Sequence, residues 1–210
     1  MTRETNLAEL TDRLLTLPVG ARSIVAIIGA PGSGKSTLAD ALVRGVNNAT
    51  PNRAALLPMD GYHFDDILLT SLGRQARKGA PDTFDVDGLR HMLARLREND
   101  ADCVAIPVFD RTIEIARAGA ALIQRTSDII VVEGTYLLLE QQPWKGLAPL
   151  FDLTVMIKTS PQTLRDRLML RWENAGIRPT EARRKVEEND LPNGDFAMKN
   201  SMATDFMIET

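Results

Sequence analysis

The chain has 210 residues, 44% hydrophobic and 25% charged, with a formal net charge of −3; that suits one domain with a real core and argues against a general nucleic-acid binder, which would be basic. The single cysteine, Cys103, excludes an internal disulfide and a cysteine-built zinc site. The start, MTRETNLAEL, has no apolar signal core, and no apolar stretch reaches the ~20 residues that span a bilayer.

Leu7, Leu10, Leu14 and Leu15 recur at helical spacing, so an amphipathic helix is expected over residues 5–16, ended by Pro18 and Gly20. The β-branched run SIVAII (23–28) reads as a buried strand. Glycine-rich residues follow, then a helix over TLADALVRGV. Residues 53–59 read as a second strand and 60–84 as a polar, glycine-rich loop with one turn of helix. Val86, Leu89, Met92, Leu93 and Leu96 mark a helix over 86–98. Residues 103–109, 119–124, 128–133 and 151–157 read as strands. Ser160 and Pro161 look like the cap and first residue of a helix reaching about 174. A charged helix is expected over 180–189, a break at NDLPNG (189–194) and a last short strand at 204–208. Strands alternating with helices predict an α/β fold with a doubly wound, mainly parallel sheet. Ligands of such sheets sit at the carboxyl ends of the strands, where Asp60, Asp110 and Glu133 fall.

Residues 29–36, GAPGSGKS, match G-x-x-x-x-G-K-[ST] between an expected strand and an expected helix, the context this phosphate loop requires. The backbone of Gly29, Ala30, Pro31, Gly32, Ser33 and Gly34 can turn tightly and aim successive N–H groups at one anion, helped by the helix dipole. Lys35 would bridge the β and γ phosphates, Ser36 would offer its hydroxyl to Mg²⁺ and Thr37 would bond the α-phosphate. Glu133, ending an apolar strand, would hold Mg²⁺ with Ser36. The bland alternative is a glycine turn before a helix. A GTPase would need N-K-x-D, which is absent. The D-x-x-G at Asp85–Gly88 follows no apolar strand, and the run IIVV ends Glu133-Gly134 where an AAA-type machine would have Asp-Glu.

Five stretches, GAPGSGKS (29–36), MDGYH (59–63), RKGAPDTFD (77–85), IPVFDR (106–111) and VVEGTYLL (131–138), stand in one order. In them the chain resembles the phosphoribulokinase/uridine kinase family of P-loop kinases, which includes type I pantothenate kinases. It looks most like a bacterial subgroup named fructose transport system kinases. The resemblance implies one kinase domain over 1–210 with a small helical lid near 161–190, using ATP and Mg²⁺. It implies that Asp60 orients or deprotonates the acceptor hydroxyl, the alternative being a turn acid, since Asp-Gly is a common turn pair. It puts Tyr62, His63, Arg77, Lys78, Asp85, Phe109, Asp110, Arg111 and Tyr136 around the acceptor. Arg77 and Lys78 could neutralise an acidic acceptor. Asp85 reads equally well as the cap of the helix from Val86. Arg167 and Arg171, four apart and so on one helix face, would reach the phosphates from the lid, and Asn193 would lie beside adenine. Uridine kinases carry aspartate-serine-phenylalanine-tyrosine where this chain has Asp60-Gly61-Tyr62-His63, so the acceptor does not carry over.

The expected protein is therefore a cytoplasmic small-molecule kinase, a monomer or homodimer with no membrane insertion and no nucleic-acid partner. It would act on a hydroxyl of a sugar, nucleoside or pantothenate-like acceptor. A non-catalytic nucleotide-binding regulator, for instance of sugar uptake, is the competing class.

Overall fold

The apolar runs become the middle of one sheet. In the structure, a computed structural model describing residues 2–210, the strands are β1 (Arg3–Glu4), β2 (Ser23–Gly29), β3 (Ala54–Pro58), β6 (Ile129–Glu133), β7 (Leu153–Lys158) and β8 (Phe206–Glu209). They line up in the order β1-β8-β7-β2-β6-β3, every pair parallel. All residues of β2 and β6 are buried, as expected for strands covered on both faces. Successive side chains alternate between two cores. Val25 and Ile27 pack with Leu10 and Leu14 of α1 (Leu7–Leu15) and Leu42 and Val46 of α2 (Lys35–Ala49). Ile24, Ala26 and Ile28 pack with Leu89, Leu93 and Leu96 of α4 (Val86–Glu98) and with Trp144.

Several elements differ from the sequence reading. β4 (Cys103–Asp110) and β5 (Ile115–Gln124) form a separate antiparallel hairpin rather than joining the main sheet. The register shifts between Ile106 and Val108, where Pro107 has no N–H for a ladder. The expected loop 60–84 contains a 3₁₀ turn starting at Met59, the short helix α3 (Asp66–Ser71) and two more 3₁₀ turns. No break occurs at NDLPNG. The chain passes from α6 (Pro179–Lys185) through a π turn, Val186–Asp190, into α7 (Leu191–Lys199). Pro192 directly follows the π turn, at the start of α7, so its missing N–H withholds one bond from the preceding turn without breaking the helix. With α5 (Pro161–Asn174), these helices enclose a small core of their own, Leu168, Trp172, Ala182 and Val186.

Gly61 shows how tightly the hairpin meets the sheet. A Cβ there would collide with the backbone carbonyl of Pro107, which cannot rotate away. Gly61→Ala is expected to destabilise the chain by about 1–3 kcal/mol, the usual range for overpacking, read as a lowered thermal midpoint. A variant as stable as the wild type would show that the hairpin moves aside freely.

Candidate active site

The loop after β2 is built by its glycines. Gly32 and Gly34 hold φ of 79° and 94°, a left-handed backbone that other residues adopt only at a cost. α2 then starts at Lys35 itself. The buried Lys35 Nζ donates to Ala30 O at 3.0 Å, spanning the loop. Burial lowers its pKa, opposed by Glu133 and Asp60. The buried Ser33 hydroxyl has no partner, an uncommon state for an interior polar group and one that an oxygen ligand in the loop would relieve. Ser36 Oγ donates to Glu133 Oε1 at 3.2 Å.

Sheet order sets the spacing of the acids. β6 lies between β2 and β3, so Glu133 stands between the loop and Asp60. Ile27 and Pro58 both pair in register with Glu133. Burial raises the Glu133 pKa and Asp60 adds to the rise, against Lys35 and Ser36. Burial also works against the Asp60 charge, but His63 when protonated, Arg111, Lys35 and Arg171 outweigh it and hold the carboxyl below its ordinary value. Arg111 Nη2 sits 2.8 Å from Asp60 Oδ2.

His63 Nδ1 lies 2.8 Å from Asp60 O. A carbonyl only accepts, so Nδ1 carries the proton. Burial lowers the His63 pKa, opposed by Asp60, which keeps the ring neutral at pH 7. The unfolded chain therefore binds a proton first as pH drops below the ordinary value of 6.5. Stability present above that value is lost as pH falls toward the lowered one. Urea midpoints are expected to fall between pH 7.5 and 5.5, and to fall less in His63→Asn; equal slopes would contradict this.

Beyond Asp60 the cleft is walled by His63, Asp66, Lys78, Phe109, Arg111 and Glu114. The His63 ring packs on Phe84 and Phe109 at centroid distances of 4.0 and 4.8 Å. Lys78 Nζ bonds Asp66 Oδ1 at 2.6 Å and Glu114 O at 2.5 Å, so one amine ties α3 to the hairpin. Tyr136 also lines the cleft and donates to Gly79 O at 2.7 Å. Arg77 is on the rim, 3.2 Å from Asp82. Three expected acceptor residues stand elsewhere. Tyr62 is buried outside the cleft lining. Asp85 caps α4 by accepting from Gly88 N at 2.8 Å, the structural side of its even reading. Asp110 accepts from Thr112 N and pairs with Arg117 at the hairpin turn.

The α5–α7 layer closes the other side. Arg167 Nη1 approaches Ser33 O at 3.3 Å and Thr210 Oγ1 at 3.5 Å. Arg171 lies 5.3 Å from the Trp172 ring, and its pKa is lowered by burial and by Arg111. The π turn aims Asn189 at the acceptor wall: its Nδ2 donates to Lys78 O at 3.1 Å, and its Oδ1 accepts from Asn193 at 3.0 Å. Asp190 accepts from Trp172 Nε1 at 2.7 Å. Gly194 brings α7 onto the loop, with an added Cβ 2.9 Å from Ala30 Cβ. Asp66, Glu114, Asn189 and Asp190 escaped the sequence reading. The first two carry no motif. The others lie in a stretch whose Asn, Pro and Gly read as a break. One cleft of about 1330 Å³ joins loop, acids and cations.

A phosphate loop at the end of a central parallel strand, with one carboxylate ending the next strand and another just past the strand after it, is the arrangement of a P-loop kinase. Comparison with known proteins agrees. No family model matches the chain. It is 31% identical over 199 residues to a Schizosaccharomyces pombe protein provisionally named a uridine kinase, covering 90% of this chain and 83% of that one. It is 31% identical over 205 residues to the YggC protein of Escherichia coli K12, covering 97% and 84%. A crystal structure from Silicibacter sp. TM1040, provisionally named a fructose transport system kinase, superposes with a TM-score of 0.88 at 34% identity, over 97% of this chain and 98% of that one. The chain belongs to the phosphoribulokinase/uridine kinase family of P-loop kinases. It is a nucleotide-binding phosphotransferase whose acceptor group is a hydroxyl. Among the described residues, no helix is long and apolar enough to cross a membrane.

Proposed function

We propose that the chain transfers the γ-phosphoryl group of ATP, with Mg²⁺, to a hydroxyl of a small metabolite. The observation that carries this reading is the pairing of Ser36 with Glu133 at 3.2 Å beside Lys35, with Asp60 one strand further on. Among the described residues no cluster of three or more His, Cys, Asp or Glu side chains could hold a metal. One carboxylate and one hydroxyl beside a phosphate loop do fit Mg²⁺, which keeps several waters and takes phosphate oxygens as ligands. Ser36 and Glu133 would hold it, and the bound ion would neutralise phosphate charge. The orphaned Ser33 hydroxyl and the loop N–H groups would cradle phosphate oxygens.

Lys35, Arg167 and Arg171 would stabilise the charge on the transferring group. α5–α7 would act as the lid over the single domain, with Asn193 toward the base. Asp60 has an open Oδ1 while Arg111 engages Oδ2. A carboxylate held below its ordinary pKa is a weak base, so its chief work is to align the hydroxyl. That suffices for a loose phosphoryl transition state, in which little covalent help is needed. His63, Lys78, Phe109, Arg111 and Tyr136 would shape the acceptor site. A regulator that only bound nucleotide would have no use for Asp60.

The test is ADP formation with Mg²⁺ against a panel of hydroxyl compounds. Turnover should rise with one acceptor class and vanish on chelation. Hydrolysis at one rate with or without every acceptor would refute the reading.

A further inference from the structure

The charges of the cleft are distributed unevenly. At the loop end, Lys35 and Arg167 reach only backbone carbonyls and one hydroxyl, while Arg171 and Lys185 lie against the Trp172 ring. These cations stand ready for a polyanion, as a nucleoside triphosphate requires. At the acceptor end three cations already have their carboxylates: Lys78 has Asp66 at 2.6 Å, Arg111 has Asp60 at 2.8 Å and Arg77 has Asp82 at 3.2 Å, while Arg171 stands between the two ends, within the field of Arg111, Asp60 and Glu114. Lys78 is further tied to the Glu114 carbonyl and is only 16% exposed. The pair Arg77 and Lys78, which in the sequence suggests an acidic acceptor, is therefore engaged.

The polar atoms left at this end are of one kind. With Nδ1–H given to Asp60 O, the neutral His63 ring presents Nε2 as a bare acceptor. Asp60 keeps Oδ1, Asp66 keeps Oδ2, and Glu114 lines the cleft with no cation paired to it among the described residues. A wall of acceptors needs a ligand rich in donors. A carboxylate or phosphate ester brings only acceptors and negative charge, and would have to pull Arg111 off Asp60 or Lys78 off Asp66, leaving a carboxylate beside an anion. The Phe109 face is not an open stacking platform either, since Lys78 Nζ and Arg111 Cζ lie 5.5 and 5.9 Å from its centroid.

We infer that the acceptor is a neutral, hydroxyl-rich molecule, a free sugar or sugar alcohol, held by hydrogen bonds to Asp60, His63, Asp66 and Glu114. Sugar phosphates and hydroxy acids are disfavoured, because their anionic group would have to compete with the carboxylates already on Lys78 and Arg111. The transferred group leaves ADP and forms a phosphate ester, the acceptor proton being lost to Asp60 or solvent. This rests on the kinase reading above.

The test uses matched acceptors with ATP and Mg²⁺: fructose against fructose 6-phosphate, ribose against ribose 5-phosphate, and glycerol against glycerate. ADP and phosphorylated product are both measured. The neutral member of the productive pair should exceed its anionic partner at least ~10-fold in kcat/KM, about the value of one hydrogen bond to a charged group. Glu114→Gln should raise KM for the neutral acceptor several-fold, leaving KM for ATP unchanged. Glu114→Lys should narrow the gap by improving the anionic member. Preference for the anionic member overturns the inference and leaves the kinase reading standing. Absence of product from every pair, when another hydroxyl compound such as a nucleoside is phosphorylated, overturns the inference alone; absence of product from any hydroxyl compound overturns both.

Discussion

Asp60→Asn is expected to slow phosphoryl transfer by roughly 10²-fold, the scale on which misplacing a reacting group costs rate, while ATP affinity stays within a few-fold of wild type. The two readouts separate because Asp60 is one strand beyond Glu133, just past the end of β3, and its side chain is hydrogen-bonded to Arg111 rather than to the loop. Asparagine keeps the size and one acceptor oxygen but loses the charge. Arg111, only 2.8 Å away, would then face a neutral partner, so a small loss of stability should accompany the larger loss of rate. Since the environment holds the Asp60 carboxyl below its ordinary value, no fall in wild-type rate between pH 6 and 5 should trace to Asp60. Equal turnover in Asp60→Asn, with an acceptor saturating both enzymes, would remove Asp60 from the chemistry.

The second large effect is Lys35→Met. Removing a preorganised charge from a phosphate site costs about 10²–10³-fold in rate. The stability response should run the other way. Lys35 is buried, its Nζ bonds a single carbonyl, and its pKa is lowered by desolvation, so the fold opposes this charge until phosphate arrives. Methionine fills similar volume without that penalty. The melting midpoint without nucleotide should therefore not fall. Saturating ATP with Mg²⁺ should raise the wild-type midpoint, as any ligand of the native state does, and should raise the variant's far less. A variant that melts several degrees lower without nucleotide would show that Lys35 supports the folded loop itself.

What was legible in the sequence had local causes. SIVAII followed by GAPGSGKS carries strand, turn and helix in continuous residues, and the P-loop fold followed from it. IIVVE marks β6 for the same reason. The place of β6 between β2 and β3 is a tertiary fact that no local pattern records, so the distance of Asp60 from the loop had to come from the sheet. β5 is rich in Ala and mostly exposed, and without an apolar alternation only its last residues read as a strand. At 189–194 the residues that usually stop a helix are carried by a π turn, and that turn delivers Asn189 to the acceptor wall. The pairing of Lys78 and Arg77 with acids is likewise invisible in RKGAPDTFD, because Asp66 comes from a different element and Asp82 could equally have faced solvent.

The most direct measurement is the destination of the label in a single turnover with [γ-³²P]ATP, Mg²⁺ and a neutral polyol. Label on a polyol oxygen in the wild type, and its loss in Asp60→Asn with nucleotide still bound, is the predicted result. Label released only as inorganic phosphate, at one rate in both proteins, would contradict it.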